Sequence, residues 1–187
     1  MPGRQSDMAL GYGYPTLGTL LTQPVKRKIF ISYHHDNDQW YYNEFSRFFS
    51  SSYDAVQDNS LDRLIDSDDT DYVMRRIREN YITGTSCTIV LCGAETRWRK
   101  YVDWEIKATL DKQHGIIGVK LPTNIVDPVN GGCHKPDRLQ DNIDTGYAVW
   151  TTWESLTIDH LRACIEAANG KSARSLKNDR IMRSRNG

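Results

Sequence analysis

The sequence predicts an α/β domain built on a mostly parallel central sheet. Three observations lead there: apolar strand-type runs alternate with helix-period segments, one run is apolar along its whole length, and the connections are long enough for crossover helices. Ser86-Cys87-Thr88-Ile89-Val90-Leu91-Cys92-Gly93 is that run, and it reads as a central strand covered on both faces.

Taken in order, Lys28-Ile29-Phe30-Ile31-Ser32-Tyr33 is a short buried-type strand ending near His34. Asp36, Asn37 and Asp38 are N-cap candidates for a first helix, in which Trp40, Tyr41, Phe45 and Phe48 or Phe49 recur at helical spacing through Ser50. A brief strand at residues 53–56 and a polar loop at 57–70 lead to a second helix. Tyr72, Val73, Ile77 and Tyr81 mark it and Gly84 ends it. After the central strand Gly93 turns the chain into a third helix at about residues 97–112. Gly115-Ile116-Ile117-Gly118-Val119-Lys120-Leu121 follows as a strand stopped by Pro122. Residues 124–147, rich in Asp, Asn, Gly and Pro, read as a long irregular connection. A last strand at 148–153 and a helix at 157–169 complete the domain, with Ile158, Leu161, Cys164, Ile165 and Ala168 inward and Gly170 at the C-terminal cap.

The chain of 187 residues has room for one core with tails. Residues 26–170 form the predicted domain, 1–25 a flexible N-terminal extension, and 171–187 a basic C-terminal tail with six basic residues against Asp179, of the kind usually left solvated. Lysine plus arginine equals aspartate plus glutamate at 24 each, so nucleic acid is not an expected partner, and a charged fraction of 26% argues against a membrane span. The four cysteines sit at irregular spacings, and residues 1–10 lack the continuous apolar stretch of a signal peptide, which suits reduced thiols in a cytoplasmic protein. Cys87 and Cys92 face opposite ways on a strand, and Cys133-His134 reads as loop, so no metal site is expected. Neither a Walker sequence, a G-x-G-x-x-G nor a G-x-S-x-G is present, and the central strand ends without a phosphoryl-accepting aspartate.

Sites in such sheets lie at the carboxyl ends of strands, which singles out Tyr33, His34 and His35, the Asp58-Asn59-Ser60 loop, and residues 93–98. On a helical wheel Trp98, Val102, Ile106 and Thr109 share one stripe, with Arg99, Lys100, Asp103, Lys107 and Asp111 opposite. Glu105 falls inside the apolar stripe. A carboxylate there is paired, neutralised or open to a cleft, because an isolated buried charge costs at least several kcal/mol; a structural salt bridge and a functional site both fit. His34 could act as acid, base or ligand donor, and Asp58 and Ser60 could bind ribose hydroxyls, although the same residues are ordinary loop chemistry.

Four pieces in order carry a resemblance: Lys28-Ile29-Phe30-Ile31-Ser32-Tyr33-His34, Asp58-x-Ser60-Leu61, Thr88-Ile89-Val90-Leu91-Cys92-Gly93-x-x-Thr96, and Val102-x-x-Glu105-Ile106. Together they resemble the TIR-like family of the bacterial Thoeris ThsB proteins, over about residues 26–121. The resemblance implies a TIR/flavodoxin-like three-layer domain with a mostly parallel central sheet. It also implies an enzyme that cleaves NAD at the nicotinamide–ribose bond, with NAD as substrate rather than cofactor, and makes a cyclic or conjugated ADP-ribose that activates a separate effector during phage infection. By that resemblance Glu105 is the catalytic carboxylate and Phe30, Ser32, His34, Asp58 and Ser60 bind substrate. Tyr101 stands where many members have tryptophan. A phage-derived trigger is implied as well. The alternatives are a non-catalytic TIR-like interaction module, since many TIR domains are adaptors, and a nucleoside-processing transferase on a similar sheet.

Overall fold

A computed structural model describes residues 27–57 and 69–187. The predicted 1–25 extension and the Asp58 and Ser60 positions lie outside these residues. Five parallel strands run in the order β2-β1-β3-β4-β5: β1 Arg27–Ser32, β2 Tyr53–Gln57, β3 Cys87–Cys92, β4 Gly115–Lys120 and β5 Val149–Thr152. All six residues of β3 are buried, as its unbroken apolar run requires of a strand between two layers.

The helices are α1 His35–Phe49, α2 Thr70–Ile77, α3 Lys100–Asp111, α4 Asp137–Asp144 and α5 Ile158–Asn169. One face of the sheet packs Ile29, Ile31, Ile89, Leu91 and Ile117 against Tyr42, Phe45 and Phe49 of α1 and Leu161 and Ile165 of α5. The other packs Phe30 against Val73 and Ile77 of α2 and Trp104 and Ala108 of α3, and Val90 and Cys92 against Val102 and Ile106 of α3 and Leu139 of α4. Each fully buried aliphatic side chain stabilises this arrangement by about 1.5–3 kcal/mol. Cys87 and Cys92 fall in the cores on opposite faces, as strand alternation dictates.

Several boundaries differ from expectation. None of Asp36, Asn37 or Asp38 caps α1; His34 occupies that position in extended geometry without a side-chain cap, and Asp38 lies inside the first turn with its backbone N–H on the His34 carbonyl, 2.8 Å. Phe49 turns inward while Trp40 and Phe48 are exposed. Asp69 caps α2, accepting the N–H groups of Asp71 and Tyr72 at 3.0 Å each, and the helix ends in a wide turn, Arg78–Ile82, before Gly84 at φ +86°.

Residues 124–147 are not wholly irregular. They contain α4, whose buried face is Arg138, Leu139 and Asn142, two polar residues of three, so no apolar period announces it. The C-terminal segment is not solvated throughout either. Asn142 donates to the Lys177 carbonyl at 2.7 Å and accepts its N–H at 3.0 Å, while Arg138 donates to Asn178 Oδ1 and to the Arg180 carbonyl, both at 2.9 Å. Buried polar groups that need partners thus hold the segment against α3 and α4.

Candidate active site

The sheet order places its reversal between β1 and β3, and ligands of open α/β sheets bind in the crevice outside the carboxyl ends at such a point. Tyr33, His34 and His35 leave the end of β1 there, and α3 crosses in front of them carrying Glu105. These four residues, with Arg99, Tyr101 and Val102, line one hollow of about 10 Å³, room for about one water molecule.

Glu105 is 4% exposed, although it carries a carboxylate on an otherwise apolar helix face. Its position along the sheet is set by a hydroxyl chain: Thr88 of β3 meets Thr109 of α3 at 2.7 Å, and the Thr109 hydroxyl donates to the Glu105 carbonyl at 2.8 Å. At its other end α3 lacks a side-chain cap of its own. The Lys100 N–H instead reaches Asn186 Oδ1 of the C-terminal segment, 2.9 Å away, and Trp104 Nε1 donates to the Arg183 carbonyl at 2.8 Å. Satisfying an orphan N–H in the first turn fixes where the helix begins, and therefore where Glu105 sits.

His34 is 3% exposed, lines the hollow, and has Nε2 3.7 Å from Asp36 Oδ2. Tyr33 stacks on Tyr42, 4.8 Å between centroids, and meets the His35 ring tilted at 39° with 4.3 Å between centroids, and its hydroxyl donates to Gln39 at 2.9 Å. Ser32, the last residue of β1, is buried, and its hydroxyl has no hydrogen-bond partner among the described residues. Phe30 is fully buried, packs against α2 and stacks on Tyr81 at 6.1 Å, in a cluster that Tyr101 of the hollow also packs against; like Ser32, it does not itself line the hollow.

The wheel of α3 needs two corrections. Trp98 precedes the helix, in a short 3-10 turn Thr96–Trp98, and is 37% exposed. Asp103, placed on the polar side, is buried, because Arg138 of α4 meets it at 2.9 and 3.3 Å. A pairing partner thirty-five residues away leaves no mark on a helical wheel.

Another buried carboxylate, Asp38, stands near the turn that follows β3. The Thr96 hydroxyl lies 3.0 Å from Asp38 Oδ2 and accepts the Gly93 N–H at 2.9 Å, joining α1 to the turn after β3. Burial is the main cause raising the Asp38 pKa from 3.8 to about 6; hydrogen bonding from Thr96 opposes it, and the charge of Glu95 reinforces it. Gly93 is required here, since a Cβ would fall on the Asp38 carboxylate. Sequence pattern assigns Gly93 to a turn and Asp38 to a helix cap; neither pattern signals their contact.

Fold and site together define a TIR-like domain of flavodoxin-type topology. The chain belongs to the family described as Thoeris protein ThsB, TIR-like domain, which matches residues 30–125, about half of the sequence. No curated protein matches it. The matched span runs from the second half of β1 through β4, with α1 to α3, and so includes every residue around the hollow. Among the described residues no helix is long and apolar enough to cross a membrane.

Proposed function

We propose that this protein cleaves NAD at the nicotinamide–ribose bond and makes an ADP-ribose-derived signalling nucleotide that activates a separate effector in Thoeris antiphage defence. The observation that carries this reading is Glu105, an almost fully buried carboxylate beside a hollow at the strand-order reversal.

Nicotinamide in NAD already bears a positive charge, so it departs as a neutral base with the bonding electron pair and needs no general acid. The ribose left behind is oxocarbenium-like, electron-poor at its anomeric carbon. A carboxylate held where water is scarce stabilises that charge, or holds the ribose hydroxyls while it forms. Capture of the anomeric carbon by water gives ADP-ribose, capture by another group of the same molecule gives a cyclic product, and capture by an amino group gives a conjugate. Ser32 and His34 lie at the end of β1 where they would meet the sugar, and Asp58 and Ser60 follow β2 in sequence as further substrate-binding candidates. No metal enters the proposed chemistry, and NAD is substrate only.

One observation favours a second reading, a non-catalytic interaction module: a hollow of about 10 Å³ is far too small to admit a dinucleotide as it stands. Metabolites of phage-infected cells separate the two. Cells expressing wild type with its trigger are expected to lose NAD and gain an ADP-ribose derivative by mass spectrometry, and cells expressing Glu105→Gln to do neither. An unchanged nucleotide profile alongside intact phage protection would establish the interaction module.

A further inference from the structure

A larger cleft, about 510 Å³, lies between the C-terminal segment and the α3–α4 pair. Small-molecule sites run to roughly 300–1,000 Å³, so its size is that of a ligand site. None of its lining residues belongs to the Glu105 hollow. Its walls are fastened: Arg138 and Asn142 hold residues 177–180, the Arg183 N–H donates to Asp103 Oδ2 at 2.9 Å, and the Gly187 N–H donates to the Trp98 carbonyl at 3.0 Å.

Four guanidinium groups, Arg97, Arg180, Arg183 and Arg185, face this cleft against two carboxylates, Asp103 and Asp137. Both carboxylates are engaged already. Asp103 is held by Arg138, which does not line the cleft, and Asp137 meets Arg97 at 3.5 Å and Arg183 at 3.7 Å. Asp141 holds Arg180 at 2.8 Å; counting both Asp141 and Arg138 leaves the surplus unchanged at two positive charges. The cations are also oriented. Arg97 lies 4.2 Å and Arg183 5.7 Å from the Trp98 ring centroid, Arg97 Nε is buried with no hydrogen-bond partner among the described residues, and Arg185 has no ion pair among them.

We propose that this cleft binds a small phosphate-bearing anion of two or more negative charges, of the diphosphate or nucleotide class, at a site separate from Glu105. Guanidinium forks match phosphate oxygens two at a time, and a surplus of two charges on partly sheltered walls is neutralised by such a ligand. The cleft's dimensions favour a small molecule over an acidic protein surface. The inference stands whether or not Glu105 cleaves NAD, because it uses none of that site's residues.

The test is titration of the full chain with inorganic pyrophosphate by calorimetry, at low and moderate salt, with thermal shift as a second readout. Wild type is expected to bind saturably and more weakly as salt rises. Arg185→Glu, whose side chain has no hydrogen bond or ion pair to lose among the described residues, is expected to keep the wild-type melting temperature without ligand and to lose roughly tenfold or more in affinity. Arg97→Gln is expected to weaken binding in the same direction, and Glu105→Gln to leave it unchanged. No saturable binding by wild type, equal binding by Arg185→Glu and wild type, or loss of binding in Glu105→Gln alone would each overturn the proposal.

Discussion

Arg138 and Asp103 form an ion pair inside the protein, two contacts at 2.9 and 3.3 Å, with the arginine fully buried and its other contacts to the Asn178 side chain and the Arg180 and Ile181 carbonyls of the C-terminal segment. The pair fastens α4 to the helix that carries Glu105. Removing one partner strands a buried charge, so Arg138→Met is expected to lose about 3–5 kcal/mol in urea denaturation. The double change Arg138→Met with Asp103→Leu should recover a large part of that loss. Equal losses in the single and double variants would show that the carbonyl contacts, and not the charges, hold the helices together.

Asp38 makes stability depend on pH in a stated direction. Its folded pKa, about 6, is above the ordinary value of 3.8, so between those values the native state holds more protons than the unfolded chain and stability falls as pH rises. Below 3.8 both states are protonated and the penalty vanishes; above about 6 it is constant at up to about 3 kcal/mol. Asp38→Asn removes this dependence while keeping an acceptor for Thr96. Urea melts from pH 3.5 to 8, roughly the span that brackets both values, should therefore show Asn gaining on Asp as pH rises and levelling above 6. A constant difference across that range would refute the buried titration.

Gly93→Ala should destabilise by about 1–3 kcal/mol, since the added methyl meets the Asp38 carboxylate. Paired with Asp38→Ala, which removes that carboxylate, the same change is expected to cost much less, a non-additive cycle measured by thermal and chemical melts.

Cysteine reactivity follows burial. The Cys87 thiol is pushed up to about 12 and that of Cys92 higher still, both by burial, whereas Cys133 is partly exposed. Peptide mapping after brief iodoacetamide treatment of the native protein should find Cys133 labelled first and Cys87 and Cys92 protected.

The sheet was readable chiefly from β1, β3 and β4, which are apolar runs, and β3 advertised its double coverage through an unbroken run of buried residue types. Glu105 was readable for the opposite reason, as a charged residue breaking an apolar period. What escaped was long-range polar pairing. Arg138 and Asn142 make α4 look like a surface helix, Asp103 looks solvated until Arg138 is found, and the basic tail looks free until Asn142 and Asp103 claim its backbone. Periodicity registers hydrophobic burial and cannot register polar burial, whose partners are set by tertiary structure. Phe30, a substrate-binding residue by the resemblance alone, is fully buried here, and on a strand buried on both faces alternation does not distinguish a core position from a pocket wall.

The most direct measurement is nicotinamide release from NAD by the purified protein, with extract of phage-infected cells as trigger, compared between wild type and a Glu105→Gln variant shown to melt like wild type. The account predicts release by wild type and a loss of roughly a hundredfold or more in the variant. Equal release by the two would contradict it.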